Sequence, residues 1–296
     1  MNFIDTLNQT FKQGNSLIKL IYINSAVFIL LKITVIVFLL FNSSGSFILS
    51  YLAIPADLTQ LIHRAWTPLT YMFLHEGFMH ILFNMFSLFW FGRIFLMYFS
   101  EKQLVGLYMV GGLLAAFVYV SAYNLFPYYE LTLHQSLLLG ASGSIMAIIV
   151  ATALRAPNME LQLLFLGNIK LKYIAIFFVL TSLFGVTSTN GGGELAHLVG
   201  ALAGYLFVVS LRQGRDLTKG INSILDTISN LFGPRRLKAR PNPTHRKSTM
   251  SDAEFNINKA RNMAEIDRIL DKIKTSGYES LSTEEKKRLF EQGKKS

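Results

Sequence analysis

LLLGASGSIMAIIVATAL, running from Leu137 to Leu154, is the stretch on which the reading of this chain turns. It is apolar enough to sit in a lipid bilayer, and near its start Gly140 and Gly143 strip side-chain bulk from both sides of Ser142. Small residues in an apolar helix favour close helix contact. A single hydroxyl made accessible between two of them is also where a nucleophile could stand, given a base to take its proton. Fold and function therefore depend on what else the chain brings to the depth of Ser142.

The bulk properties place that stretch in a membrane protein. The chain has 296 residues, of which 51% are hydrophobic and only 16% charged. Of its 28 Lys and Arg, 19 lie from Arg212 onward and only 9 precede it. An apolar body thus carries a basic tail, and basic charge beside a spanning segment reads as a cytoplasmic flank attracted to anionic lipid, not as a nucleic-acid surface. The absence of cysteine excludes disulfides, thiol catalysis and Cys-ligated metal. Met1 to Asn15 has Phe3, Ile4, Leu7 and Phe11 at helical spacing and no cleavable signal, so an interfacial helix is expected there.

A spanning helix needs roughly 20 apolar residues. Six candidates meet or approach this: Ile23 to Phe41, Gly77 to Phe99, Leu104 to Leu125, Leu137 to Leu154, Ile169 to Gly185 and Leu195 to Leu211. Lys32, inside the first, must snorkel or face protein. Phe47 to Ile54 is too short to span and reads as re-entrant or interfacial. Lys12, Lys19, Arg93, Lys102, Arg155, Lys170, Lys172 and the tail fall on one side and only Arg64 on the other, which puts both termini in the cytoplasm. The expected fold is an all-α polytopic membrane protein. It divides into an N-terminal segment (1–22), a six-helix membrane domain (23–212), an amphipathic helix with a basic linker (213–250), and a small helical cytoplasmic module (251–296).

In the third of these parts, Leu217, Ile221, Ile224, Leu225, Ile228 and Leu231 make one apolar stripe, which could lie on the membrane or pack against the tail. In the last, Ser251 with Glu254 and Ser282 with Glu285 match the capping box, and Gly277 lies between them, so a helical hairpin is expected.

Polar residues inside spans are costly, and each is a candidate for function. His80 and Asn84, four apart, share one face of the second span. Ser142 is in the fourth span and His197 in the sixth. With the orientation above, all four occupy the outer half of the membrane. Gly200 and Gly204 give the sixth span a Gly-x-x-x-Gly face that can approach Gly140 and Gly143 of the fourth, bringing His197 to Ser142. His197 would then act as general base, with no intramembrane Asp to orient it, so a dyad is expected. The Ser142 N–H and the side chains of His80 and Asn84 could stabilise an oxyanion. His75-Glu76 suggests a zinc motif, but His75 and His80 are five apart, about 140° round a helix, where the His-Glu-x-x-His arrangement needs four. No metal and no cofactor are expected. His75 is expected to bond loop groups, and Trp66 to be an interfacial anchor.

Gly-Ala-Ser-Gly at Gly140 to Gly143, Ala196-His197 followed by Gly200 and Gly204, and His80-Ile-Leu-Phe-Asn84 together resemble the rhomboid intramembrane serine proteases, over about residues 20 to 212. The resemblance implies a six-helix core, Ser142 as nucleophile, His197 as its partner, and His80 and Asn84 in the oxyanion hole. It also implies single-pass membrane proteins as substrates, cut near the outer boundary of what looks like a bacterial inner membrane. Two positions depart from many members: Trp66 is followed by Thr67, not Arg, and Met146 stands where some carry an aromatic residue against the base. A catalytically inactive, client-binding relative is the alternative, and a small transporter is a further one, disfavoured by the lack of paired intramembrane carboxylates. From Val186 to Glu194, the Gly191-Gly192-Gly193 run suggests a flexible lid, and the fifth span, with Phe177, Phe178 and Phe184, a lateral gate.

Overall fold

The computed structural model describes residues 14–163, 167–232 and 252–293. These fall in two compact units, one ending at Arg236 and one beginning at Leu237.

The first unit opens with α1 (Ser16–Leu40), capped by the Asn15 side chain, which accepts from the Ile18 N–H. Its buried residues lie in its first third: Leu17, Leu20 and Asn24 are buried, while Ile29, Leu30, Ile33, Ile36, Leu39 and Leu40 are exposed. A soluble protein would not leave such a surface uncovered, whereas lipid tails accept it at no cost. The expected start at Ile23 was late, because Ser16 to Tyr22 continues the same helix on its packed side. Lys32 faces protein, its Nζ donating to the Glu76 carbonyl at 2.6 Å. The interfacial helix expected over Met1 to Asn15 lies almost wholly outside the described residues.

Between α1 and the next long helix, the chain makes short pieces in place of a simple loop: α2 (Ser46–Leu52), β1 (Ile54–Pro55), α3 (Leu58–Ile62), α4 (Thr67–Thr70) and one 3₁₀ turn (Tyr71–Phe73). Seven residues cannot span, so α2 bears out the reading of Phe47 to Ile54 as non-spanning. The last carbonyls of such a helix need donors. Three side chains from downstream supply them: Arg64 Nη1 to Ser50 O (2.9 Å), Trp66 Nε1 to Tyr51 O (3.1 Å) and Thr70 Oγ1 to Leu52 O (2.6 Å). Trp66 is therefore tied into this connection, with its ring also against Tyr51. Its indole donor is used by protein, while its ring stays partly exposed.

Next come α5 (Phe78–Tyr98) and α6 (Glu101–Leu125), the latter entered through a capping box between Ser100 and Gln103. The fourth apolar run departs from expectation. It is not helical throughout: Leu137–Leu138 form β2, paired antiparallel with β1, and α7 begins only at Ser142 and ends at Arg155. Fourteen residues reach about 21 Å, short of the roughly 30 Å hydrocarbon core. Ten of the fourteen are buried, which makes α7 the central strut that longer helices surround. The β1–β2 pairing explains the late start, since it satisfies backbone groups of Leu137 and Leu138 that a helix would otherwise have used.

A second strand pair, β3 (Glu160–Leu163) with β4 (Gly167–Lys170), leads into α8 (Leu171–Gly185). It was not foreseen, although the alternation in Glu160-Leu161-Gln162-Leu163 is a strand signal. The last helix of the bundle, α9 (Gly191–Arg212), starts four residues earlier than the sequence suggested. Gly191, Gly192 and Gly193 are consequently its first turn, not a flexible lid. A Cβ at Gly191 would lie 2.2 Å from the Val186 carbonyl, and one at Gly192 would lie 2.6 Å from the Tyr119 ring. These glycines permit close packing.

Among the described residues four helices, α1, α5, α6 and α9, are long and apolar enough to cross a membrane, and α7 and α8 are shorter apolar helices. The chain is an all-α polytopic membrane protein with two small strand pairs. After α9 comes α10 (Lys219–Phe232). Its approach is fixed by Gln103 Nε2 donating to Asp216 (2.9 Å), by Lys102 with Asp226 (2.7 Å), and by Thr218 against Gly106. Leu217, Ile224, Ile228 and Leu231 remain exposed along its apolar stripe.

The second unit is the helical pair expected from the tail: α11 (Asp252–Ser276) and α12 (Thr283–Gly293). Gly277 turns the chain between them with φ 78°. The Ser282 capping box forms, with Ser282 N–H donating to Glu285 at 2.7 Å and Glu285 N–H to Ser282 Oγ at 3.3 Å. Lys272 binds Glu285, and Arg288 binds Glu265, across the pair. The other box, at Ser251, and the basic linker lie outside the described residues.

Candidate active site

A helix N-terminus leaves backbone N–H groups without intrahelical partners and carries a partial positive charge. Ser142 is the first residue of α7, so its hydroxyl and N–H stand at such an end. The chain reaches it through Gly140, whose φ of 125° is a backbone conformation that L side chains rarely adopt. Gly140 is further required by space: a Cβ there would lie 3.0 Å from His80 Nε2 and 3.6 Å from Ser142 Oγ. Its N–H donates to the Tyr71 carbonyl at 2.9 Å, which pins the turn to the connection before α5.

The approach of α9 to α7 follows the glycine logic of the sequence. A Cβ on Gly200 would lie 2.0 Å from the Gly143 carbonyl oxygen, and one on Gly204 would lie 2.2 Å from that of Ala147. Gly111 and Gly112 of α6 do the same against Ala147 and Ser144, so α7 is gripped from two sides.

All four candidate residues, His80, Asn84, Ser142 and His197, line one open cavity of about 730 Å³, together with Glu76, Met146, Phe178, Ser182, Asn190 and Glu194. Asn84 Nδ2 donates one hydrogen to the His80 carbonyl at 2.9 Å, which leaves its second available to the cavity. Met146, one turn after Ser142, is nearly buried and forms part of the wall. His75 sits behind, buried, with its ring 5.1 Å from that of His80 and edge-on to it. Its nitrogens make no hydrogen bond of good geometry among the described residues, and the Phe73 backbone of the preceding turn is the loop group that acts on the ring.

His197 makes its polar contacts through Nδ1, 3.2 Å from Glu194 Oε2 and 3.2 Å from Ser182 Oγ, and none with Ser142 among the described residues. The reading that no intramembrane Asp orients the imidazole left Glu194 out of account. It did so because Glu194 was assigned to the outer connection, whereas α9 already begins at Gly191 and places Glu194 one turn before His197. The i, i+3 spacing was the available signal. Among the described residues no group of His, Asp or Glu is arranged to hold a metal ion.

A family model described as Rhomboid domain matches residues 63–214, the part of the chain that holds this cavity. The chain belongs to the rhomboid family. That family is one of intramembrane proteases, and with its apolar helices this member is an integral membrane protein. A second model, of a family of unknown function (DUF6576), matches residues 250–295, the helical pair of the tail. No curated protein matches the chain.

Proposed function

We propose that this rhomboid is an active intramembrane serine endopeptidase that uses Ser142 and His197 to cut single-pass membrane proteins near the outer boundary of the membrane. One observation carries the reading: a serine at a helix N-terminus and a histidine from a second helix line the same cavity, with His80 and Asn84 beside them.

The chemistry follows from those positions. His197 Nε2 accepts the proton as Ser142 Oγ attacks the scissile carbonyl, and later returns it to the leaving amine. The oxyanion is met by the Ser142 N–H at the positive end of α7, the free hydrogen of Asn84 and a ring N–H of His80. Water entering through the open cavity then hydrolyses the acyl-enzyme. A peptide bond inside a helix is not accessible to this geometry, so substrates that weaken their helix with Gly or Pro near the cut are preferred. Entry from the lipid lies past α8, where Phe177 and Phe184 are exposed and Phe178 lines the cavity.

The same reading assigns six membrane helices, with α7 and α8 completing the four long ones, both termini in the cytoplasm, and a bacterial inner membrane as the location. The exposed stripe of α10 then lies against the cytoplasmic leaflet, where basic residues of the tail attract anionic headgroups.

The deciding experiment incubates the purified protein with a single-pass substrate and with a fluorophosphonate probe. Cleavage and labelling are expected for wild type, and both are lost in Ser142→Ala. An unlabelled, non-cleaving wild type would instead support the inactive client-binding alternative.

A further inference from the structure

Glu194 occupies the first turn of α9, where an acidic residue is common because it favours the helix dipole. Its carboxylate is not spent on that helix end. Oε2 is turned along the helix to His197 Nδ1, and the Ser182 hydroxyl of α8 lies 3.2 Å from the same ring nitrogen. Ser182 is buried, which makes this contact part of a built arrangement instead of a chance surface one. Space for the carboxylate is also provided: one helical step beyond Ser182, a Cβ on Gly185 would lie 2.7 Å from Glu194 Cγ and 3.0 Å from Cδ. α8 therefore contributes a hydrogen-bonding group and a slot, and α9 contributes the carboxylate that fills it.

Resting on the protease reading above, we propose that Glu194, supported by Ser182, is a positioning residue that holds the His197 imidazole with Nδ1 protonated and Nε2 facing the cavity. A ring that donates from Nδ1 keeps the Nε2 lone pair for the Ser142 proton. When Nε2 takes that proton, the Glu194 carboxylate faces the imidazolium at Nδ1 and stabilises it without itself being protonated. The proton then passes to the leaving amine, and the carboxylate is unchanged over the cycle. Ser142, His197 and Glu194 thus form a chain of three groups drawn from two helices, with a fourth, Ser182, from the helix that borders substrate entry.

The test compares wild type with Glu194→Gln, Glu194→Asp and Ser182→Ala on a single-pass substrate, together with the rate at which a fluorophosphonate labels Ser142. Gln keeps the size of the side chain and loses its charge, so kcat and the labelling rate should fall about 10- to 100-fold. KM should stay within about twofold, since the change acts through His197 Nδ1 on the chemical step. Asp fits the slot less well but keeps the carboxylate, and should retain several times more kcat than Gln. Ser182→Ala should lose a smaller factor, also in kcat. The proposal is overturned if wild type cleaves and Glu194→Gln keeps its kcat. It is equally overturned if Asp is no better than Gln, because packing and not charge would then set the loss. A wild type that neither cleaves nor labels removes the protease reading itself.

Discussion

Gly200 and Gly143 meet so closely that the α9 backbone takes the place of a side chain: a Cβ on Gly200 would stand 2.0 Å from the Gly143 carbonyl oxygen. The obstacle is backbone, which cannot swing aside as a flexible side chain could. Gly200→Ala must therefore push α9 from α7, at a cost of about 1–3 kcal/mol or more. Because Gly143 follows Ser142 and Gly200 follows His197 by three residues, the same change separates the proposed nucleophile from its proposed base. We expect Gly200→Ala to lower the unfolding temperature in detergent and to reduce cleavage at least tenfold. Gly220→Ala, which meets nothing within 4 Å, should leave both unchanged.

Much of this was legible in the sequence, for identifiable reasons. Ser142, His197, His80 and Asn84 could be grouped because polar residues are scarce in apolar spans and because glycines announce close approach. What escaped the reading has a common cause. Leu137 to Leu139 and Gly191 to Gly193 were assigned by composition, yet hydropathy cannot say where within an apolar or small-residue run a helix begins. In the first case, strand pairing to Ile54–Pro55 decides it; in the second, the three glycines form the first turn of the helix, with Gly192 packed against Tyr119 of α6. Moving the start of α9 by one turn is what converts Glu194 from a loop residue into a neighbour of His197.

Asp57 makes the connection between α1 and α5 sensitive to acid. Its Oδ1 accepts from the Thr59 N–H (2.8 Å) and hydroxyl (2.7 Å), capping α3, and its Oδ2 lies 2.7 Å from His134 Nδ1. The Thr59 hydroxyl bond first, and then His134, hold the carboxyl well below the usual carboxylate range. A depressed folded pKa contributes stability that is complete above the unfolded value of about 4 and is lost as pH falls from there through the folded one. Thermal unfolding between pH 6 and pH 3 should show this loss in wild type, and a shallower one in Asp57→Asn. Asp57→Ala should cost about 1 kcal/mol at neutral pH through the missing cap.

The absence of cysteine makes the proposed orientation directly measurable. Single cysteines at Ser188, between α8 and α9, and at Arg215, after α9, should fall on opposite faces of the membrane. A membrane-impermeant maleimide added to intact spheroplasts should label Ser188→Cys at once and Arg215→Cys only after lysis. The reverse pattern would invert the topology, and equal labelling of both before lysis would end the assignment of α9 as a span.

Docking of α10 rests on packing more than on charge. The Lys102–Asp226 pair is more than half exposed on both sides, and such pairs contribute little. Beneath it, Thr218 is fully buried, and a Cβ on Gly106 would lie 2.5 Å from Thr218 Cβ and 2.9 Å from Asn222 Nδ2. Gln103, also buried, donates to Asp216 at the entry to the helix. Lys102→Ala should therefore leave trypsin cleavage at Arg215 and Lys219 as slow as in wild type. Gly106→Val should lift the helix off α6 and accelerate that cleavage severalfold. Since Gly106 is not among the residues lining the cavity of Ser142, proteolytic activity in detergent should survive the change. A fall in activity matching the gain in trypsin sensitivity would instead show that α10 braces the bundle around the site.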